Sequence, residues 1–120
     1  MEVIISRGHD GKQPLTALTK FDLGFDHRRL IVETASTPAG LEAKAYVVQV
    51  SECGRFESRG FVHGKPVDYT ADIRIVAGGK ATVRTIRALH AEALAEAARI
   101  KEDALAFCGQ AVESAELVLH

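Results

Sequence analysis

"RLIVETASTPAGLEAKAYVVQV", residues 29–50, decides the fold: two runs of strand-forming residues flank Thr37-Pro38-Ala39-Gly40. In such a turn proline fixes φ and glycine permits a positive one. Opposing Ser36 with Leu41 brings Glu33 against Lys44, and opposite charges directly across an antiparallel pair contribute about 0.2–1 kcal/mol. In that register Leu30 and Val32 share a face with Leu41, Ala43, Ala45 and Val47, the alternation of a half-buried hairpin.

The reading extends outward to two more strands. "RFESRGFV" (55–62) and "DYTADIRIV" (68–76) alternate and flank a Gly- and Pro-containing turn. A two-residue Gly64-Lys65 loop would oppose Glu57 to Asp72 and Arg55 to Arg74, whereas a four-residue loop, Gly64–Val67, pairs Arg59 with Asp72 and Glu57 with Arg74. Charge favours the second. Cys53-Gly54 turns residues 41–51 into this pair, with Glu52 opposite Arg55. The expectation is a four-stranded antiparallel meander over residues 28–76. Its core face would add Phe56, Val62, Tyr69, Ile73 and Ile75, and its small residues Ala43, Ala45, Ser58, Gly60 and Ala71 form a shallow trough.

"VRTIRALHAEALAEAARI" (83–100) fits that trough. Thr82 follows a glycine pair as an N-cap, with no Glu three residues on to close a capping box. The 3.6-residue period then runs to Cys108, and Gly109 suits the position past the end. One helix over 81–108 would be about 40 Å long. It would overhang the sheet and leave Ile100 to Phe107 free to pack on a second copy. The fold class is therefore α+β: a four-stranded antiparallel meander sheet packed on one long C-terminal α-helix. We read 1–120 as a single domain, with 1–27 an N-terminal covering segment and 109–120 a tail that adds a short strand or docks as a further turn.

Two features of this helix are not explained by its period. His90 falls inside the apolar arc, where a histidine with a hydrogen-bonded ring nitrogen serves packing, or where a small enzyme would hold a general base. Lys80, Arg84 and Arg87 crowd the positive end while Glu102 and Asp103 sit toward the negative end, each opposing the macrodipole by up to about 1 kcal/mol. Ion pairs to Asp68 and Asp72 would answer this. So would an anion site where the amides and the three cations converge.

On the sheet's other face the same register lines up Ile31, Tyr46 and Phe61 across three strands, beside Val48 and Val50, with Arg29, Arg59, Glu57 and Lys44 around the edge. A solvated sheet face carries fewer large apolar groups. Either the N-terminal segment folds over it, through Leu15, Leu18, Phe21, Leu23 and Phe25 with "EVIIS" as an edge strand, or it is a protein interface with the aromatic and Arg residues of binding hot spots. Aromatics beside arginines also stack single-stranded bases, and Arg29, Arg55, Arg59, Lys80, Arg84 and Arg87 would hold phosphates.

Composition narrows these choices. The 120 residues are 47% hydrophobic and 26% charged, with net charge -1; such a chain lacks the sustained positive field of bulk nucleic-acid binding. No apolar run approaches the roughly 20 residues of a membrane span, and Glu2 stands where a secretory signal is basic, so a cytoplasmic location is expected. Cys53 and Cys108, 55 residues apart, read as buried free thiols. The histidines at 9, 27, 63, 90 and 120 show no metal-ligand spacing, "GHDGK" (8–12) lacks the frame of a phosphate loop, and no nucleophile motif occurs. Nothing calls for a metal or cofactor. The function expected is non-catalytic binding of another protein, with self-association as a homodimer, in the manner of small accessory, inhibitory or regulatory factors from bacterial or mobile-element contexts. The alternatives are an anion or single-stranded nucleic-acid binder and a small enzyme built on His90.

Overall fold

A computed structural model describes residues 2–7, 15–24, 27–58, 60–62, 65–67 and 69–119, with the backbone alone described at 60–62, 65–67 and 110–119. In chain order the elements are β1 (Ile4–Ser6), β2 (Thr16–Asp22), β3 (Arg28–Thr37), β4 (Gly40–Val50), β5 (Glu57–Ser58), β6 (Gly60–Val62), β7 (Lys65–Val67), β8 (Thr70–Ala77), α1 (Val83–Ala95) and α2 (Ala97–Leu119). The architecture is α+β, an antiparallel sheet of more than four strands with two helices rather than one.

The central hairpin has the register that charge requires: Ser36 opposes Leu41 and Glu33 opposes Lys44. Next to it the expected meander is corrected. β5 and β8 both pair with the outer edge of β4, β5 at Gln49 and Val50 and β8 from Tyr46 to Gly40. They lie end to end like one strand, interrupted by the separate β6–β7 hairpin. That hairpin opposes Val62 to Lys65, leaving two intervening residues instead of the four expected. Asp72 finds its opposite charge on β4, at Lys44, and not on the strand before it in sequence. Arg59 and Asp68 lie outside the described residues.

A bulge changes which side chains β8 sends to the core. Lys44 opposes Asp72 but Ala43 opposes Arg74, so Ile73 is the extra residue, and the alternation reverses beyond it. Ile75, expected in the core, lies opposite Glu42 and is 63% exposed. Arg74 turns to the helix side, where its Nη1 is 2.8 Å from a Glu92 carboxylate oxygen. Phe56, also expected inside, sits beside the β4–β5 turn and is 71% exposed.

The N-terminal segment widens the sheet instead of covering its second face. β1 pairs with β2, and β2 with β3, placing Thr19 opposite Val32 and Phe21 opposite Leu30. Leu15, Ala17 and Leu23 consequently join the core between sheet and helices. Had β2 lain across the sheet, the long β3 would have kept an unpaired edge. Phe25 lies outside the described residues, as does "GHDGK".

α1 and α2 form one bent rod. Glu96 ends α1 with φ −97° and ψ 1°, its amide bonded to the carbonyls of both Ala93 and Leu94. The buried stripe continues through the bend as Ile86, Leu89, His90 and Ala93, then Ala97, Ile100, Ala104 and Cys108. Ala93 and Ala104 of this stripe share one buried core with Ala17, Ala43 and Ala45 of the sheet, in which Leu30, Val32, Val47, Ile86 and Ile100 each contribute about 1.5–3 kcal/mol by burial. The expected overhang at Ile100 to Phe107 is thereby reduced: Ile100 is 1% exposed, and Phe107, at 42%, leans on Tyr69 with ring centroids 5.6 Å apart. Gly109 does not end the helix, which runs to Leu119; one interior glycine costs only about 1 kcal/mol. Among the described residues no helix is long and apolar enough to cross a membrane.

Thr82 is the N-cap, and a threonine replaces the missing glutamate of the capping box. Thr85 N donates to Thr82 Oγ1 at 3.1 Å and Thr82 N donates to Thr85 Oγ1 at 2.9 Å. The Thr85 hydroxyl donates to the Lys80 carbonyl. Thr82→Ala leaves the Thr85 amide without its acceptor, with an expected loss of about 1 kcal/mol in urea denaturation.

Candidate functional site

His90 is held by the two strands beneath it. Its ring, 1% exposed, sits between Thr19 of β2 and Thr34 of β3, which are 2% and 0% exposed. Thr19 Oγ1 is 2.8 Å from Nε2 and Thr34 Oγ1 is 2.9 Å from Nδ1. A neutral imidazole has one donor and one acceptor nitrogen, and a threonine hydroxyl serves either role, so both tautomers are satisfied. Burial pushes the ring's pKa below its ordinary 6.5. Both nitrogens are taken by threonine hydroxyls, and the histidine acts here as a polar clamp between α1 and the sheet.

The second sheet face carries most of the residues expected there, in a different row. Ile31 opposes Tyr46, but the third place belongs to Thr70 of β8. Phe61 stands on the separate β6–β7 hairpin, and Arg59 lies outside the described residues. Val50 is half-buried, whereas Ile31 and Val48 are only 4% and 5% exposed. An ion network crosses above them. Glu57 on β5 accepts from Lys20 of β2 at 2.7 Å and from Arg29 of β3 at 2.9 Å; since β2 and β5 are the outer members of four neighbouring strands at about 4.8 Å spacing, these side chains meet over β3 and β4. Partial burial alone would push the Glu57 carboxyl up, but the hydrogen bonds and charges of Lys20 and Arg29 outweigh it and hold the pKa down. Glu57→Gln removes the shared anion from side chains that are still a quarter to a third exposed, so the loss expected from denaturation at neutral pH is about 1 kcal/mol or less. That difference disappears as pH falls through the folded carboxyl's lowered range.

Among the described residues the cations at the start of α1 do not find the carboxylate expected for them, and Asp68, the other one considered, lies outside those residues. Asp72 is on the other face, opposite Lys44. Lys80, Arg84 and Arg87 are exposed and have no ion partner among the described residues. The Thr82–Thr85 box already takes one of the free amides, which weakens an anion site there. Arg29 is committed to Glu57, Arg55 is exposed in the β4–β5 turn, and Arg59 lies outside the described residues.

Sequence reasoning missed the end of the sheet where the β2–β3 and β4–β5 turns meet. Two adjoining clefts of about 170 and 320 Å³ share His27, Val50, Ser51 and Glu52. Arg28, 1% exposed, lines the first, and Gln49, Phe56 and Ser58 line the second. Position 28 has the parity of Leu30 and Val32, which was the available signal for its inward placement. Cys53 is exposed, against expectation, because it occupies the turn itself; Cys108 is buried, and both are free. The Ser51 hydroxyl, 3.3 Å from Cys53 Sγ, and the backbone at Arg55 hold the thiol below its ordinary pKa. Among the described residues no group of three His, Cys, Asp or Glu side chains is placed to hold a metal.

These features define a helix-backed antiparallel sheet with an internal polar clamp. No protein-family model, no curated protein and no solved structure matches the chain.

Proposed function

We propose that this chain is a non-catalytic protein-binding domain, accessory or inhibitory in role, that takes an extended segment of its partner along the outer edge of β8. The observation carrying this reading is the edge itself. β8 is eight residues long and pairs only with β4 among the described residues, with Ile75 63% and Val76 36% exposed on its two faces. Main-chain groups on such an edge give affinity to an added strand and side chains on alternate faces give selectivity. The bulge at Ile73 and the charge at Asp72 guard the first half, as edge strands commonly are guarded, leaving Arg74–Ala77 as the docking stretch. His90 and its threonines serve the interior in this reading and take no part in chemistry.

The test is affinity capture from the source cell with the wild-type chain and with Ile75→Lys, followed by amide hydrogen exchange on the complex. Ile75 is exposed, so the substitution leaves stability within about 0.5 kcal/mol. Partner recovery that is lost with Ile75→Lys, together with new protection of Arg74–Ala77, supports strand addition; recovery indifferent to the substitution overturns it. A second reading, an anion or single-stranded nucleic-acid binder, rests on Lys80, Arg84 and Arg87, which have no ion partner among the described residues. It requires an affinity for single-stranded RNA or DNA that falls steeply with salt.

A further inference from the structure

Core packing leaves the outer side of the bent helix without an account. At about 100° per residue, Arg84, Ala88, Ala91, Ala95, Ala98 and Glu102 all lie within about 60° of the line opposite the core-facing stripe, and all six are exposed. Alanine is a strong helix former at any exposed site, so four alanines carry no message alone. The order of the six does. Arg84 and Glu102 each stand nine residues from Ala93, Ala88 and Ala98 five, and Ala91 and Ala95 two. The face is therefore self-complementary under a two-fold axis at Ala93, with opposite charges at its ends.

We propose that two copies of the chain associate back to back through this face, their helices antiparallel and their sheets outermost. Each Arg84 then meets Glu102 of the other copy, and the alanines leave room for the backbones to approach to about 8 Å. Neither Arg84 nor Glu102 has an ion partner within the described part of its own chain. This accounts for Arg84, whose charge opposes the dipole at the start of α1 and is matched on the neighbouring helix. A closed two-fold contact uses the same patch on both subunits, so residue i meets j and j meets i, which is the relation Arg84 and Glu102 obey on the centre line of the face; the alanines lie to either side of that line and keep the contact thin. Arg87 and Arg99 are also equidistant from Ala93 but occupy opposite flanks of the stripe, and in an antiparallel two-fold pair each flank meets its own counterpart, so they do not collide. Arg99 is further neutralised by Glu96 at 3.2 Å and Asp103 at 3.3 Å. The surface is separate from the β8 edge, and each proposal stands without the other.

Sedimentation of the full chain over roughly 1 µM to 1 mM, the range that resolves micromolar dissociation constants, tests it. The wild type is expected to dimerise reversibly. Arg84→Glu and Glu102→Arg, which each place like charges across the axis, are expected to weaken the dimer about tenfold or more, and the double variant to return to within a few-fold of wild type. Ala91→Lys, at an exposed position that leaves the melting temperature unchanged, is expected to give a monomer. A wild-type chain that stays monomeric across the range, a dimer indifferent to Ala91→Lys, or a double variant no better than its parents overturns the proposal.

Discussion

His90→Leu is expected to lower unfolding stability by about 2–5 kcal/mol, because it strips the only described side-chain partner from two buried hydroxyls at a cost of about 1–3 kcal/mol each. Leucine fills most of the space, so the loss reports hydrogen bonding more than a cavity. Thr19 and Thr34 are 2% and 0% exposed, so water does not readily replace the imidazole. Replacing all three members, as His90→Leu with Thr19→Val and Thr34→Val, should recover most of the loss, since exchanging both sides of a buried polar contact for apolar groups is nearly neutral. Urea midpoints at unchanged m value measure both. A single variant as stable as wild type would mean that the hydroxyls find other partners and that His90 is no clamp.

The same histidine sets an acid limit. Its folded pKa lies below the unfolded value of about 6.5, so above that value neither state is protonated and the group leaves stability unchanged. As pH falls below it, the unfolded chain binds the proton first and stability drops, with a slope of at most about 1.4 kcal/mol per pH unit until the lowered folded pKa is passed. Glu57 acts later in the same titration, because its folded pKa is depressed and its contribution is lost as pH falls through the carboxylate range. The component between about pH 6.5 and that range should vanish in His90→Leu and persist in Glu57→Gln.

The residues that were legible in sequence are those whose signal is local. Glu33 against Lys44, the cap at Thr82 and the buried alternation of Leu30, Val32, Leu41, Ala43, Ala45 and Val47 needed only a turn, a period and a charge. The bulge at Ile73 was not legible, since nothing in "DYTADIRIV" distinguishes a regular strand from one that reverses its faces midway. The interrupted β5–β8 strand was hidden for a related reason: a hairpin inserted into a strand reads in sequence as two strands joined by a turn. His90's placement among apolar neighbours was plain, but its partners Thr19 and Thr34, 71 and 56 residues away, depended on β2 joining the sheet. The Lys20–Glu57–Arg29 network required both errors of topology to be corrected before its members came together.

Gly40→Ala is the substitution expected to do most damage for its size, more than about 3 kcal/mol, through strain of about 1–3 kcal/mol together with lost ladder bonds worth about 1 kcal/mol each. Gly40 has φ of +138°, a region that L side chains rarely adopt, and a Cβ there would lie 2.2 Å from the Val76 carbonyl oxygen and 2.8 Å from the Gly78 amide nitrogen. Both obstacles are backbone, so no rotamer change relieves them. The chain can only separate β4 from the end of β8, where Gly40 opposes Ala77 and the Gly78 amide donates to the Ala39 carbonyl at 3.2 Å. That separation removes the support of the short link leading to Thr82 and α1. Gly54→Ala is the control, because Gly54 also has a positive φ, +74°, but its Cβ would meet nothing within 4 Å; it should lose only the conformational part, about 1–2 kcal/mol. If denaturation gives the two variants equal losses, the β4–β8 contact yields without resistance and the edge is looser than its register implies. A larger loss for Gly40→Ala, with faster amide exchange at Val76 and Ala77, locates the rigidity of the β8 edge in that close approach, and a strand-adding partner depends on an edge held straight.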